Sequence, residues 1–491
     1  MLTPEGQPAN KTDKIMLLAM WTNALRKERS GLTLHNEARK KIISAGMGRP
    51  TYPINQYTIQ VQLAYWRRIE ALVIATISSS EKITESAVIG YGDPRGDVDS
   101  REIMASAMSN WYETPIQSHN ILFTVGGAGA LRVIFETFNF LYENEPKYRV
   151  ITPFPHYTLY ADNQHQLHPI DVMKEPGYRL TARSMRLSIE QSYELAKKDG
   201  GYPKVLLLCN PSNPLGTIIS EEELKRIAEL LRLYPDIHIV LDEAYAEMSF
   251  NTLKIPSFLT IAPDLKNRII IMRSATKALS AAGERMALLI AFDEQLMGKL
   301  LDKNISTIGH APRSSQLAYA ETMAQFTSET HQELVNFYLS KVNYVAHRLQ
   351  EMGASMPDPE YKVDGTFYIL GDFSDLFGLE LPSETARALE KTGTITTNEE
   401  IAYYLLFHDS VMIAPSSYFG LSKNDGFMRI TCSGDEEELQ ELMNRLAARL
   451  FEARYNKKIS LLNAIAHQLP ELREINKAKH DQVMAMLSEL S

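Results

Sequence analysis

A lysine set among small and apolar residues is the first candidate for chemistry in this sequence. In the stretch MRSATKALSAAGER, Lys277 lies three residues after Ser274 and eight residues before Arg285. A lysine that loses part of its hydration gives up its proton more easily and becomes a nucleophile. The planar guanidinium of an arginine suits a phosphate geometrically. The alternative is a helix-end lysine whose aliphatic stem covers apolar surface, and this stretch alone leaves both interpretations open.

Two further stretches place small or amide residues directly after apolar runs. In FTVGGAGALRVIFETF, Gly127 and Ala128 lie in a turn of small residues that leads into a helical pattern. Backbone amides and the N-terminus of a helix favour an anion at such a turn. In CNPSNPLGT, two Asn-Pro dipeptides predict a rigid turn that would hold Asn213 as a hydrogen-bond donor. A tight strand–helix turn and ordinary turn chemistry are the simpler alternatives.

A carboxylate ends a strongly apolar run in HIVLDEAYAEM. Asp242 is the last residue of that run, and Tyr245 follows three residues later. A buried carboxylate is costly unless it meets a cation or a hydrogen-bond donor. The position therefore indicates a binding role, with an N-capping aspartate as the alternative.

The elements that must position these residues are predicted strands and helices, which alternate between about residues 120 and 290. Five continuous apolar runs predict buried strands: NILFTV, YRVITPF, KVLLLCN, IHIVLDE and RIIIMRS. Amphipathic stretches separate them, such as SEEELKRIAELLRLY, in which Ser220 is a good N-cap. This alternation predicts an α/β fold with a parallel sheet and right-handed crossovers. Ligands of such folds bind at the carboxyl ends of the strands.

After about residue 328 the pattern changes. A long helical pattern from His331 to Met352 precedes the strand-like stretches GTFYILGDF, SVMIAP and FMRITCS, and a further helix begins near Gly434. This order predicts a smaller α+β domain, followed by a polar helical segment from residue 456 to residue 491.

The composition excludes several classes of protein. The 491 residues carry a net charge of −9, and 44% of them are hydrophobic, which is ordinary for a globular protein with two or more domains. No block of basic residues suggests a nucleic-acid partner. The two cysteines, Cys209 and Cys432, exclude a disulfide framework and favour a reducing compartment, so we expect a cytoplasmic protein.

Membrane and metal binding are not expected either. No apolar run approaches the length that spans a bilayer, and the run from Ile15 to Trp21 is predicted to be part of an amphipathic helix rather than a signal peptide. His165 and His168 in HQLH have no cysteine or carboxylate partner at ligand spacing. We therefore expect a surface loop there and no metal site.

Taken together, the motifs resemble those of the class I/II aminotransferases, which are fold-type I enzymes that use pyridoxal 5′-phosphate. The glycine-rich turn, N-P-x-N-P-x-G, D-E-x-Y and S-x-x-K with an arginine eight residues after the lysine occur in the order of the family. SAGMGRPTYP, IGYGDPRGDVDSREIMA and GFMRIT are similar to further family segments. The resemblance implies a large domain with a mostly parallel seven-stranded sheet between helices, and a smaller α+β domain.

Four parts of the chain follow from the resemblance and from the change of pattern. Residues 1–60 would form an N-terminal segment that contributes to the small domain and to dimer contacts. Residues 61–327 would form the large cofactor-binding domain, and residues 328–455 the small C-terminal domain. Residues 456–491 would form a C-terminal helical extension.

The resemblance implies roles around the cofactor ring. Lys277 would bond covalently to the cofactor aldehyde and then act as general base and general acid. Asp242 would pair with the pyridinium nitrogen and keep it protonated. Asn213 and Tyr245 would hydrogen bond to the phenolic oxygen, and Tyr157 in PFPHYTLY would lie against the ring face.

The resemblance also implies a phosphate site that two chains share. Gly127, Ala128, Ser274 and Arg285 would bind the phosphate, and the contact of Ala128 would come from its backbone alone. Tyr91 would reach the phosphate of the neighbouring subunit, which implies a homodimer with shared active sites.

The substrate would be bound by a second set of residues. Gly48, Asn213 and Arg429 would hold the substrate, with Arg429 in a bidentate pair with the α-carboxylate. In the dicarboxylate-specific branch of the family, the partner chain supplies a second arginine from a segment that corresponds here to NISTIGHAPRSS. Residues 304–310 of this segment contain no arginine. An uncharged pocket, lined by residues such as Tyr157 and Ile308, would suit neutral or aromatic side chains.

Three functions remain open at this stage. The preferred one is a transaminase that exchanges an α-amino group between an amino acid and a 2-oxo acid. A fold-related lyase or decarboxylase is the second, because NPSNPLGT also resembles aminocyclopropane-carboxylate synthases and some aspartate 4-decarboxylases share the motif set. A non-catalytic regulator that binds pyridoxal 5′-phosphate is disfavoured, because Lys277 and Asp242 are both present and the first 40 residues are too few for a DNA-binding domain.

Overall fold

The computed structural model describes most of the chain, and the described residues form two compact units. The described residues are 1–9, 13–31, 41–78, 88–145, 147–161 and 166–466, with five single residues beyond them, 477, 479, 481, 482 and 485. The first unit comprises Met1–Arg49, Ser340–Pro359 and Phe367–Ser491, and the second comprises Pro50–Leu339 and Glu360–Thr366. The division into four parts made from the sequence stays a prediction.

Helices and strands alternate over much of the described chain. The strands of the described residues are, in chain order, β1 (Ile43–Ser44), β2 (Ile121–Val125), β3 (Arg149–Phe154), β4 (Gln166–Asp171), β5 (Pro203–Cys209), β6 (His238–Asp242), β7 (Ile269–Ser274), β8 (Met286–Ala291), β9 (Tyr368–Asp372), β10 (Val411–Met412), β11 (Ala414–Pro415) and β12 (Phe427–Thr431). The α-helices of the same residues are α1 (Lys14–Gly31), α2 (Gln56–Ser78), α3 (Val98–Tyr112), α4 (Gly126–Leu141), α5 (Ala182–Asp199), α6 (Glu221–Arg232), α7 (Phe258–Ile261), α8 (Glu294–Thr307), α9 (Arg313–Ala324), α10 (Ser328–Glu351), α11 (Ser383–Leu389), α12 (Asn398–Tyr404) and α13 (Glu436–Ala466).

A seven-stranded sheet forms the centre of the second unit. Its strand order is β2-β8-β7-β6-β5-β3-β4. The five strands from β4 to β7 run parallel to one another, and β8 runs antiparallel to both β2 and β7. The predicted α/β fold with a mostly parallel sheet is therefore confirmed, as are all five strands predicted from the apolar runs. Strands β4 and β8 were not predicted.

Local sequence signals account for the helix starts that matter for the site. Ser220 caps α6, and its hydroxyl accepts a hydrogen bond from the backbone amide of Glu223 at 3.2 Å, as its position predicts. Helix α4 begins in the glycine-rich turn at Gly126, directly after β2. The amphipathic stretch between β5 and β6 and the glycine-rich turn thus form the connections expected from the sequence.

One histidine contradicts the expectation of a surface loop. His168 lies on β4, and its side chain is buried, as is that of Ile170 two residues later. Alternate residues of a strand point to the same face, so both side chains point inward. Burial lowers the pKa of His168 below its ordinary value, which favours the neutral ring. The prediction for His168 was therefore wrong, and His165 lies outside the described residues.

The first unit combines two small sheets with helices. Strands β11, β12 and β9 form an antiparallel sheet in which Arg429 lies opposite Ala414 and Leu370, and β1 pairs in parallel with β10. The run from Ile15 to Trp21 lies within α1, as predicted. Among the helices of the described residues, none is both long enough and apolar enough to cross a membrane.

Candidate active site

Three of the predicted residues lie where β6 and β7 end. Asp242 is the last residue of β6, where it pairs with Met272, and Ser274 ends the neighbouring β7. Both Asp242 and Ser274 are buried. Lys277 follows three residues later and is half-buried, and its Nζ lies 5.9 Å from the centre of the Tyr245 ring. The carboxyl edge of the sheet therefore gathers a carboxylate, a hydroxyl and an amine, as expected from parallel strands.

The Asp242 carboxylate is enclosed and has a hydrogen-bond donor at each oxygen. Tyr160 donates its hydroxyl to Oδ2 at 2.6 Å, and the backbone amide of Ala244 donates to Oδ1 at 3.2 Å. Burial raises the pKa of Asp242 to about 6, although these two hydrogen bonds and the positive charge of Lys277 favour the ionised form. A cation placed beside this carboxylate would be bound strongly, because the carboxylate itself is buried.

The glycine-rich turn, Ser274 and Arg285 form one cradle. Gly126 has a φ of +66°, and its amide donates to the carbonyl oxygen of Arg285 at 3.0 Å. The space where a Cβ on Gly126 would lie is taken by the Arg285 guanidinium. A Cβ on Gly127 would lie 3.9 Å from the Cβ of Ser274. Amides of the helix N-terminus, a hydroxyl and a guanidinium thus face one another, which is a suitable donor set for a phosphate.

The hydroxyl of Ser274 and the guanidinium of Arg285 already have local partners. The Ser274 hydroxyl lies 2.6 Å from that of Thr276 and accepts from the Thr276 amide at 3.2 Å. Arg285 is exposed and donates to the carbonyl oxygen of Ala282 at 3.0 Å. Ala128, in the first turn of α4, is exposed as well. The cradle is therefore open to solvent on the side of Ala128 and Arg285.

Two other predicted residues lie next to this edge of the sheet. Asn213 is buried, and its backbone amide hydrogen bonds to the thiol of Cys209, the residue of β5 that pairs with Asp242. The Tyr157 ring meets the Tyr160 ring edge-on, with centres 5.8 Å apart. The segment after β3 and the turn after β5 therefore approach Asp242 from neighbouring strand ends.

Tyr91 does not contact this group within the chain. Its side chain is 97% exposed, and its ring lies edge-on to His310 with the centres 5.8 Å apart. An exposed tyrosine of this kind is available to a second molecule.

The predicted substrate arginine lies in the first unit. Arg429 is buried, with its guanidinium 4.4 Å from the centre of the Tyr368 ring and 4.5 Å from that of Phe419. Its Nη2 donates to the carbonyl oxygen of Gly46 at 2.5 Å, and Gly48 follows two residues later. The two rings and the carbonyl hold the guanidinium plane in one orientation.

A buried ionic cluster behind the site was not predicted. Arg273, which directly precedes Ser274, is fully buried, and its guanidinium donates to Glu247 and, at 2.8 Å, to the hydroxyl of Tyr112. That hydroxyl donates in turn to Glu243, the residue after Asp242, at 2.5 Å. Burial raises the pKa of Glu243 to about 7, although Arg273 and Tyr112 oppose the shift.

The alternation of side chains along a strand contained a signal for this cluster. Arg273 must point away from the face that carries Ser274, and a buried arginine requires acidic partners. Glu243 and Glu247 are separated by one helical turn in the sequence and follow the neighbouring strand. Tyr160 was missed as well, since only the folded chain brings it to Asp242.

Comparisons with known proteins agree with this arrangement. The family model described as aminotransferase class I and II matches residues 64–446. A relative from Rickettsia felis, named "Probable aspartate/prephenate aminotransferase", is 27% identical over 325 residues, which cover 65% of this chain and 72% of the relative.

Solved structures show the same fold. The aspartate aminotransferase from Rhizobium meliloti superposes with a TM-score of 0.69 at 19% identity, covering 90% of this chain and 98% of that chain. The aromatic aminotransferase from Pyrococcus horikoshii superposes with a TM-score of 0.67 at 19% identity, covering 87% of this chain and 99% of that chain. Because the family model matches most of its length, the chain belongs to the class I and II aminotransferases, enzymes that use pyridoxal 5′-phosphate to move an amino group between an amino acid and a 2-oxo acid.

Proposed function

We propose that transamination takes place at the carboxyl edge of the seven-stranded sheet, with Lys277 as the residue that bonds to the cofactor and transfers protons. The single observation that carries this proposal is the meeting of Asp242, Ser274 and Lys277 at the ends of two adjacent strands. The first turn of α4 lies beside Ser274, and the Arg285 guanidinium lies against Gly126 in the same turn.

The residues present fit pyridoxal 5′-phosphate. Its phosphate requires several N–H and O–H donors, which Gly127, Ser274 and Arg285 supply in the cradle. Its ring nitrogen requires a carboxylate, and Asp242 is a buried carboxylate that a cation would stabilise. An amine that can bond to an aldehyde is present in Lys277.

The chemistry divides between the cofactor and the chain. When bound, the cofactor withdraws electrons from the substrate Cα and so makes its proton removable. Lys277 takes that proton as general base and returns a proton as general acid. With the cofactor bound, Asp242 would hold a positive charge at the ring nitrogen. Asn213 and Tyr245 would hydrogen bond to the phenolic oxygen, and Tyr157 would cover one face of the ring.

Covalent labelling tests the assignment of Lys277. Borohydride reduction of the holoenzyme followed by peptide mapping should place the pyridoxyl group on Lys277. Lys277→Ala should lower kcat by at least about a hundredfold, because it removes the group that transfers protons. Lys299→Ala is the matched control, since Lys299 also lies near an aromatic ring, with its Nζ 5.1 Å from the centre of Phe140. A label on another lysine, or full activity of Lys277→Ala, contradicts the proposal.

The reaction type is tested by following several products in parallel. A screen of amino donors against 2-oxo acids should show amino-group transfer, with carbon dioxide and ammonia measured at the same time. Carbon dioxide or ammonia released in proportion to the consumed amino acid would instead support a decarboxylase or a lyase.

For the substrate, we propose that Arg429 and Gly48 hold the α-carboxylate and that the side-chain pocket is uncharged. In the segment from residue 304 to residue 310, Asn304 donates to the carbonyl oxygen of Pro94 at 3.1 Å. Arg313, further along, is paired with Asp97 at 2.7 Å. These contacts support a pocket that receives no arginine from this segment.

The names of similar proteins include both aspartate and aromatic aminotransferases, so they do not favour dicarboxylate over aromatic substrates. Catalytic efficiencies for aspartate, glutamate, alanine, methionine and tyrosine discriminate between them. We expect the neutral and aromatic amino acids to be preferred. A preference of more than about tenfold for a dicarboxylate, equivalent to roughly 1.4 kcal/mol of transition-state binding, contradicts the uncharged pocket.

We also propose that the enzyme is a homodimer in which Tyr91 reaches the phosphate of the partner. Helix α2 supports this assembly because it exposes a row of apolar side chains, namely Ile59, Leu63, Trp66, Val73, Ile74 and Ile77. Mixing the inactive variants Tyr91→Ala and Lys277→Ala should restore part of the activity after subunit exchange, since a hybrid dimer contains one intact site. A fully active monomer in light scattering rules out the shared site.

A cytoplasmic location is part of the same proposal. Cys209 and Cys432, both described, form no disulfide, which suits a reducing compartment. Cell fractionation tests it, and recovery of the enzyme with the membrane or extracellular fraction contradicts it.

A further inference from the structure

One hydrogen bond beneath the site has no role in the reaction as described so far. The hydroxyl of Tyr160 lies 2.6 Å from Oδ2 of Asp242, and both side chains are buried. The other carboxylate oxygen accepts from the backbone amide of Ala244. Since the two donors reach different oxygens from different directions, they restrict the rotation of the carboxylate plane.

Tyr160 is itself held firmly. It lies in a single helical turn after β3, and its amide donates to the carbonyl oxygen of Tyr157 at 3.0 Å. The ring of His156 lies nearly parallel to it, at 6.1 Å between centres and 17° between planes. The same short turn therefore positions Tyr157, which we place against the cofactor ring, and the hydroxyl that reaches Asp242.

The direction of the hydrogen bond follows from the proton on Tyr160. Burial and the neighbouring Asp242 charge raise the pKa of Tyr160 well above its ordinary value, so the phenol keeps its proton at every working pH. The phenol therefore donates to Asp242 whenever that carboxylate is ionised, and such a bond favours the ionised carboxylate. The other titratable groups that act on this carboxylate are Lys277, Cys209 and Glu243. The Tyr160 hydrogen bond lowers the pKa of Asp242 more than the charge of Lys277 does.

We propose that Tyr160 is a positioning residue, whose hydroxyl keeps the Asp242 carboxylate ionised and in one orientation so that it can pair with a cationic ring nitrogen. This inference rests on the role proposed above for Asp242. It assigns to Tyr160 a part in cofactor binding and reactivity without direct contact with the reacting atoms.

The pH dependence of cofactor affinity tests this inference. A cationic ring binds to the ionised carboxylate, so the affinity of the apoenzyme is full above the pKa of Asp242 and falls as the pH drops through about 6. Tyr160→Phe keeps the ring but loses the donor, which moves the falling limb to higher pH. We expect roughly fivefold weaker binding at pH 6, because a one-unit rise of the Asp242 pKa lowers its ionised fraction at that pH from about one half to about one tenth, and little change at pH 8.5. Fluorescence titration of the apoenzyme with pyridoxal 5′-phosphate measures both values.

Tyr148→Phe is the matched control. Tyr148 is a buried tyrosine of the same hydrophobic core, and its hydroxyl donates to Asn139 at 2.9 Å, away from the site. Loss of the Tyr148 hydroxyl should lower the free energy of unfolding about as much as Tyr160→Phe does. It should leave unchanged the pH at which cofactor affinity falls. A uniform loss of affinity at all pH values in Tyr160→Phe, or an unmoved limb, overturns the inference, because a merely structural role would produce these results.

Asp242→Asn separates the inference from the proposal on which it rests. Asp242→Asn should remove the fall of cofactor affinity at low pH. Adding Tyr160→Phe to it should then change the pH dependence of affinity no further, even if Tyr160→Phe alone folds poorly. If Asp242→Asn retains full transamination, the proposed role of Asp242 is wrong. If Asp242→Asn is inactive while Tyr160→Phe leaves the limb unmoved, only the role of Tyr160 is wrong.

Discussion

Gly126→Ala should test the phosphate cradle independently of the rest of the fold. Gly126 has a φ of +66°, and a Cβ there would occupy the position of the Arg285 guanidinium. The left-handed backbone costs an alanine about 1–2 kcal/mol, and the guanidinium must also move. If Arg285 binds the phosphate, its displacement removes hydrogen bonds from a charged donor, worth about 1.5–3 kcal/mol. The dissociation constant of the cofactor should therefore rise roughly ten- to 150-fold.

The control for Gly126→Ala is a glycine with the same backbone strain and no ligand-binding group beside it. Gly200 has a φ of +80°, and no atom lies within 4 Å of the position of its Cβ. Gly200→Ala should lower the unfolding temperature to a similar degree but leave the cofactor affinity within about twofold. Arg285→Met removes the guanidinium without backbone strain and should weaken binding as much as Gly126→Ala does. Equal cofactor affinities in Gly126→Ala and Gly200→Ala, measured by calorimetric titration of the apoenzymes, refute the assignment of Arg285 to the phosphate.

Three further predictions concern buried charges. Arg429→Lys should lower kcat/KM by about tenfold or more for every amino donor alike, because an ammonium cannot replace a bidentate guanidinium; a loss confined to one donor in steady-state kinetics contradicts this. Glu247→Met should lower the free energy of unfolding by about 3–5 kcal/mol, since it leaves the buried Arg273 with one acidic partner fewer. Adding Arg273→Met should recover part of this loss. Additive losses of the two changes in urea denaturation contradict the pairing. Burial raises the pKa of Glu243 from 4.5 to about 7, so the folded state holds a proton that the unfolded state lacks between these values. Stability should therefore fall as the pH rises through this window, and Glu243→Gln should reduce the slope of the melting temperature against pH.

Much of the fold and most of the candidate site could be predicted from the sequence, for identifiable physical reasons. Strands buried on both faces leave continuous apolar runs, so β6 and β7 were recognisable, and the residues that end them, Asp242 and Ser274, followed directly. Strand β4 was not recognisable because it forms the edge of the sheet, and its sequence, QLHPID, is neither a continuous apolar run nor a regular alternation of polar and apolar residues. Tyr160 could not be predicted, since its role depends on a contact between the turn after β3 and the end of β6.

The two faces of the sheet explain why the polar residues at its edge occur as adjacent pairs. Asp242 and Ser274 share a face with Met272, which packs in the same hydrophobic core as Tyr160. The neighbouring residues Glu243 and Arg273 must point to the other face, where they meet Tyr112 of α3. Each strand end therefore supplies one side chain to the proposed cofactor site and one to an ionic cluster behind it. Because a change in that cluster moves the same backbone that carries Asp242 and Ser274, variants of Arg273 should alter cofactor affinity as well as stability, whereas Tyr148→Phe should alter stability alone.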